Sequence, residues 1–268
     1  MLQKRFKSLV SLQPASLRLS GAKKTKSYMG YKDFIRQALN FMHLDLTQNL
    51  AYDRMTKDIM KRTIKPNSNC IDVGCHKGEI LDVILKLAPQ GTHFGFEPIP
   101  EFYSDLSAKY ARRAQILPYA LAEQSGTSSF HFVKNAPAYS GLEKREYKVD
   151  APEIEEIQVE LRPLDEVIPE DIRIDFVKID VEGGEFAVFK GGKHLFAKHR
   201  PVIIFECGMG ASEYYGTVPG ELFEFVTEKL DLRISLLKNY LKGDAPLHLA
   251  DFERHFNQNL EYYFIAHP

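Results

Sequence analysis

A short apolar run, Cys70-Ile71-Asp72-Val73, ends in glycine at Gly74, and a helical pattern resumes just after Gly78. Few features constrain a chain more. A strand that must turn at once into a helix needs glycine where the backbone bends tightly and where a ligand or another segment approaches closely. Glu79 to Leu87 then reads as a helix, His93 to Phe96 as a second strand, Pro100 to Arg112 as a helix and Gln115 to Tyr119 as a third strand. The alternation resumes downstream with a fourth strand at Asp175 to Ile179, a helix from Glu185 to Phe196 and a fifth strand at Val202 to Phe205. Pro219 to Leu230 reads as helical, Leu232 to Leu237 as a strand, and Tyr262 to Ala266 as a final strand, a candidate to run antiparallel. Short strands alternating with helices predict an α/β fold: a doubly wound, largely parallel sheet with helices on both faces. Thr127 to Val133 and Ile154 to Leu161 stand outside the alternation, as extra strands or an insertion around a loop containing Ser140-Gly141.

The chain divides into three stretches. Residues 1–30 carry Lys4, Arg5, Lys7, Arg18, Lys23, Lys24 and Lys26 before the first acid, Asp33. Such a basic, aromatic-poor arm reads first as a flexible tail. A weak peripheral contact with a membrane face and an organelle transit peptide are the alternatives. Residues 31–66 hold Phe34, Ile35, Leu39, Phe41, Met42, Leu44 and Leu46, then Met55, Ile59 and Met60, at roughly helical spacing, and predict a two-helix N-terminal extension. Residues 67–268 form the main domain.

Bulk properties narrow the function. A formal net charge of -1 gives the whole molecule no electrostatic footprint for nucleic acid, so no nucleic-acid partner is expected. No apolar run approaches the ~20 residues of a membrane span, and a cytoplasmic location is expected. Cys70, Cys75 and Cys207 include no CxxC pair, which fits a reducing compartment and argues against structural zinc.

Glu97 closes the second strand nineteen positions after Gly78, close to the ~20-residue offset at which an acid accepts hydrogen bonds from ribose hydroxyls in nucleotide-binding folds. The turn lacks the G-x-G-x-x-G spacing that carries a pyrophosphate, so a ligand without phosphates fits better and a nicotinamide oxidoreductase is disfavoured. Asp180 and Glu206 fall at the ends of the fourth and fifth strands, facing the crevice in which doubly wound sheets bind ligands. Lys178, two residues before Asp180, shares its face and is expected to pair with it and keep it ionised. Glu182 and Glu185 also read simply as helix-start residues, and Tyr214 and Tyr215 as candidates to shape a pocket after the fifth strand.

Four segments carry a family resemblance: Ile71-Asp72-Val73-Gly74-Cys75-His76-Lys77-Gly78, Phe96-Glu97-Pro98, Leu121-Ala122-Glu123-Gln124-Ser125-Gly126-Thr127, and Lys178-Ile179-Asp180-Val181-Glu182-Gly183-Gly184-Glu185. In this order they resemble the FkbM family of S-adenosyl-L-methionine (SAM)-dependent methyltransferases. The likeness runs from about Asn69 to Glu206. Cys75 stands where that family often has Ala, and Gly184 where a larger residue is common. The resemblance implies a class I Rossmann-like fold, SAM as cofactor, and O-methylation of a hydroxyl on a sugar, glycan, polyketide or related small molecule. It places Asp72, Gly74, His76, Gly78, Glu97 and Ala122 at the cofactor. Methyl transfer to a hydroxyl needs the proton removed as the carbon-oxygen bond forms, so Asp180 is the first candidate for base or positioning residue and Glu206 the second. Two close carboxylates could instead hold Mg²⁺, but a protein base is favoured over a metal. N-methylation, or a SAM-binding fold without catalysis, is the alternative function.

Overall fold

A computed structural model describes residues 48–147 and 149–268. The basic arm, and the first expected helix of the extension up to residue 47, lie outside the described residues. The second expected helix is α1, Gln48–Thr63, which buries Tyr52, Thr56, Ile59 and Met60.

β1 (Cys70–Val73), α2 (Glu79–Leu87) and β2 (His93–Phe96) fall where the sequence pattern places them. α3 (Pro100–Tyr110) opens with proline in its first turn, where a missing N–H costs nothing. The expected third strand is two strands, β3 (Gln115–Leu117) in the main sheet and β4 (Tyr119–Leu121) in a second sheet. Pro118 between them has no N–H to continue the ladder. β5 (Gly126–Val133) and β6 (Ile154–Arg162) pair antiparallel, and β4 joins β6 in parallel, giving a small three-stranded sheet inserted into the alternation. One turn, α4 (Leu164–Val167), leads to β7 (Phe176–Ile179). The single helix expected from Glu185 to Phe196 is two, α5 (Glu185–Gly191) and α6 (Lys193–His199). The break falls at Gly191-Gly192, the poorest helix formers in the stretch. Then follow β8 (Val202–Glu206), α7 (Pro219–Glu224) with a π-turn over Phe225–Lys229, and β9 (Arg233–Leu236). Two helices not read from the sequence, α8 (Leu237–Lys242) and α9 (Leu249–Asn257), precede β10 (Tyr263–His267).

The main sheet has the order β3-β2-β1-β7-β8-β10-β9, with β10 antiparallel to both neighbours. Side chains alternate across it. Val177, Ile179, Ile203, Phe205, Phe264 and Ala266 pack on one face under α5, α6, α7 and α9. Phe176, Ile204 and Ile265 pack on the other under α1, α2, α3 and α8. This is the class I methyltransferase arrangement, a mostly parallel seven-stranded sheet with helices on both faces. Among the described residues no helix is long and apolar enough to cross a membrane.

The chain winds outward from β1 through β2 and β3 on one side, and from β7 to β8 on the other, so the winding reverses between β1 and β7. The crevice of a doubly wound sheet opens at that point, beyond the carboxyl ends of the strands. Gly74 shows how tightly its floor is built. Its φ is +81°, and a Cβ there would lie 1.9 Å from the backbone carbonyl oxygen of Asp180. Gly74→Ala is therefore expected to cost at least about 2 kcal/mol, since the left-handed backbone penalty and the overlap add. Urea denaturation of the variant beside the parent measures it.

Candidate functional site

The turn after β1 is anchored to β2 by its own backbone. The N–H groups of Gly74 and Cys75 both donate to the Phe96 carbonyl, each at 3.0 Å, and Gly78 N–H donates to Cys75 O at 2.7 Å. The space beside Gly78 is filled by Tyr110, whose hydroxyl donates to Gly78 O at 2.7 Å. Both glycines are thus required by close packing within the protein as well as by their positive φ.

Glu97 reaches back over this turn. Its Oε2 accepts His76 N–H at 2.8 Å and its Oε1 accepts Ile99 N–H at 3.0 Å. Burial still pushes its carboxyl up to about 7, the two N–H donors only moderating the shift. Asp72 is buried on β1, and desolvation raises it to about 7, offset in part by the Lys178 charge. Its Oδ2 is buried with no hydrogen-bond partner. His76 sits edge-on to Phe102 at 5.0 Å between ring centres, and burial lowers its pKa. Ala122 is tied to the small sheet and to α5: its N–H donates to Arg162 O, and its carbonyl abuts Gly191.

Asp180 follows β7 directly, and its N–H donates to Val73 O at 3.0 Å, which sets it beside the turn. Since Ile179 pairs with Phe205, the next residues, Asp180 and Glu206, are neighbours at the strand ends. The expected partner is in place, with Lys178 Nζ 2.9 Å from Asp180 Oδ2. Burial pushes Asp180 upward, but the Lys178 charge and the hydrogen bonds of Lys178, Tyr263 and Glu206 outweigh it and leave the carboxyl below its ordinary value. Glu206 is driven the other way, well above its ordinary value, by burial and by the Asp180 charge. The two adjacent carboxyls are thus driven in opposite directions, Asp180 toward the anion and Glu206 toward the acid.

The turn from Val181 to Glu185 adds two more acids. Glu185 Oε1 accepts the N–H groups of Val181 and Gly183 at 3.0 and 3.2 Å, the helix-start role, while its Oε2 is buried without a partner. Glu182 has a φ of +58° and forms an ion pair with Arg145, which arrives from the β5–β6 connection. The Ser140-Gly141 segment is held down near this turn. Tyr215 Oη accepts the N–H groups of Leu142 and Glu143 at 2.8 and 3.2 Å, and Arg145 Nη1 donates to Gly210 O at 3.2 Å.

Asp72, Asp180, Lys178 and Glu206 therefore converge, with the Glu97-bound turn alongside. Tyr263 and Arg145 are the residues that the sequence reading did not single out. Tyr263 Oη donates to Asp180 Oδ2 at 2.7 Å. One signal was available, because an antiparallel last strand in register with β8 sets Tyr263 opposite Glu206. No group of three or more His, Cys, Asp or Glu side chains with metal-holding geometry occurs among the described residues, and all three cysteines are buried and free.

The 2-O-methyltransferase NoeI of Sinorhizobium fredii (strain NBRC 101917 / NGR234) is 25% identical over 170 residues, an alignment covering 55% of this chain and 66% of that protein. The chain thus spans just under two thirds of that relative's length. Among solved structures, the FkbM methyltransferase from Methylobacillus flagellatus KT is 14% identical, with 88% of this chain and 60% of that chain covered and a TM-score of 0.47. The plantazolicin methyltransferase BpumL in complex with SAH is 12% identical, with 87% and 93% covered and a TM-score of 0.38. The methyltransferase FkbM domain model matches residues 72–234, more than half of the chain, from the Asp72 turn through both carboxylate-bearing strand ends. The chain belongs to the FkbM family of SAM-dependent methyltransferases.

Proposed function

We propose that this protein uses SAM to methylate a hydroxyl group of a small molecule or glycan, with Asp180 as the proton acceptor. The observation that carries the reading is the Asp180 carboxylate, held ionised at the strand end beside the glycine turn by Lys178 and Tyr263. The family and the name of the relative, a 2-O-methyltransferase, support it.

The residues fit the cofactor chemically. Asp72 Oδ2 and Glu185 Oε2 are buried without a hydrogen-bond partner, and the acids around them outnumber Lys178 and Arg145. Such a site favours a ligand that is cationic and rich in N–H and O–H groups. When bound, SAM supplies a methyl group on a positively charged sulfonium. Glu97 and Asp72 would hold its hydroxyl and ammonium donors, and His76 would close the turn side of the pocket. Asp180 would take the proton of the acceptor hydroxyl, and Glu206, whose carboxyl burial and the Asp180 charge hold above its ordinary value, would lie beside it as the acid of the pair. Orientation contributes most of the rate and proton removal a further 10²–10⁴-fold, roughly.

Calorimetry on cofactor-free protein should show SAH binding, and labelled methyl groups from SAM should appear on neutral sugars or oligosaccharides from an acceptor panel that also contains RNA. No SAH binding overturns the SAM reading, and label transferred to RNA alone overturns the acceptor class.

A further inference from the structure

On the sheet face covered by α1, contacts run from that helix to Asp180. Tyr52 of α1 is fixed by Gln48, whose Nε2 lies 2.7 Å from the hydroxyl, and by Glu261, which accepts that hydroxyl. Its ring lies 4.9 Å from that of Tyr262 and 4.8 Å from that of Tyr263, between ring centres. Tyr263 in turn sits with its ring 4.7 Å from Lys178 Nζ and its hydroxyl 2.7 Å from Asp180 Oδ2. Lys178 Nζ reaches that same oxygen at 2.9 Å.

Two donors on one carboxylate oxygen have a geometric consequence. Oδ2 has two lone-pair sites and both are engaged, so the carboxyl cannot rotate freely and proton acceptance falls to Oδ1. One donor on Oδ2 would hold the carboxyl less firmly beside the Glu206 carboxyl. We propose that Tyr263 is a positioning residue of the methyl-transfer site: with Lys178 it pins Asp180 by Oδ2, leaves Oδ1 as the accepting oxygen, and is itself held by Tyr52 of α1.

The inference rests on Asp180 being the base in the reading above. Burial and the nearby carboxylates hold the Tyr263 phenol well above its ordinary pKa, so it remains a donor wherever Asp180 is ionised. The N-terminal helix then belongs to the catalytic architecture, because its Tyr52 is what Tyr263 packs against.

The test reads Asp180 directly and needs no acceptor. Protein labelled with ¹³C at aspartate carboxyls is titrated by NMR, with Asp180→Asn identifying the signal. The groups facing Asp180 are Lys178 on β7, Tyr263 on β10, Glu206 on β8, Glu182 and Glu185 in the following turn, Asp72 on β1 and His76 in the glycine turn. Tyr263→Phe keeps the ring and all of these, and removes one donor. Asp180 should then titrate about one unit higher, with SAH affinity unchanged. Tyr52→Ala, which leaves both donor groups in the chain and removes only the ring that holds Tyr263, should move the signal in the same direction, and it reads the effect if Tyr263→Phe fails to fold. An Asp180 titration unchanged in either folded variant overturns the proposal. Failure of the parent protein to bind SAH would sink the methyl-transfer reading instead, while the titration still decides the role of Tyr263.

Discussion

Arg145→Met should lower the folding stability of the cofactor-free protein by about 1–3 kcal/mol, the range for leaving a buried polar group without its partner. The Arg145 side chain is 6% exposed and that of Glu182 22%, so the guanidinium is shielded from bulk water and the carboxyl only partly reaches it. Glu182 already sits at a φ of +58° and close to the Asp180 and Glu185 carboxylates. Burial and the Asp180 charge push its carboxyl up to about 8 even beside the guanidinium, and without it the buried acid loses its partner and takes up a proton. The arginine also covers the Tyr139 ring at 5.3 Å and reaches Gly210 O, so the β5–β6 connection loses its main attachment to the turn. Adding Glu182→Gln to Arg145→Met should recover most of the loss, because the double variant leaves no unpaired acid. Chemical denaturation of the parent, both single variants and the double variant gives the coupling. A single-variant loss below about 1 kcal/mol, typical of exposed pairs, would refute the buried-latch account.

Tyr263 and Arg145 are the residues around Asp180 and Glu182 least visible in the sequence. Asp72, Glu97 and Asp180 stand at ends of short apolar runs, so a local reading finds them and the crevice follows from sheet topology. Lys178 is legible from period-two alternation alone. Tyr263 meets Asp180 across 83 positions of chain, and Arg145 meets Glu182 across 37. No periodicity encodes such a contact; only the register of an antiparallel last strand, or the path of an inserted hairpin, brings it about. The missed details of the fold have local causes. Pro118 splits what reads as one strand, and Gly191-Gly192 splits what reads as one helix. The helix α9 does carry a helical signal in Leu249, Phe252 and Phe256, but its polar remainder, such as Asp251, Glu253 and Arg254, dilutes the apolar stripe.

The electrostatics of the acids predict a pH dependence with a definite sign. Burial raises Asp72, Glu97 and Glu185 to about 7 and Glu182 to about 8, and holds Glu206 well above its ordinary value, so in the folded protein each keeps a proton that the unfolded chain has released by about pH 6. For a carboxyl raised on folding, the contribution to stability is complete below the unfolded pKa and is lost as pH climbs through the folded one. The histidines lowered by burial, His76, His93, His199, His255 and His267, act in the opposite sense, but only as pH falls through and below 6.5. Above 6.5 they are largely silent. From there to about pH 8, short of the thiol and phenol range, the carboxyls set the slope: stability of the cofactor-free protein should fall with pH, each group contributing at most about 1.4 kcal/mol per unit. Urea midpoints at the two ends of that window test the sign, and a midpoint that rises with pH would contradict it. Ligand binding reverses the pressure on these groups. Ribose hydroxyls donating to Glu97, and an ammonium group meeting Asp72, favour the ionised forms, so SAH binding near pH 7 should release protons and tighten as pH rises. Calorimetry in two buffers of different ionisation enthalpy measures that release, and Glu97→Gln, which cannot ionise, should reduce it. Proton uptake on binding would mean that these carboxyls do not meet the ligand's donors.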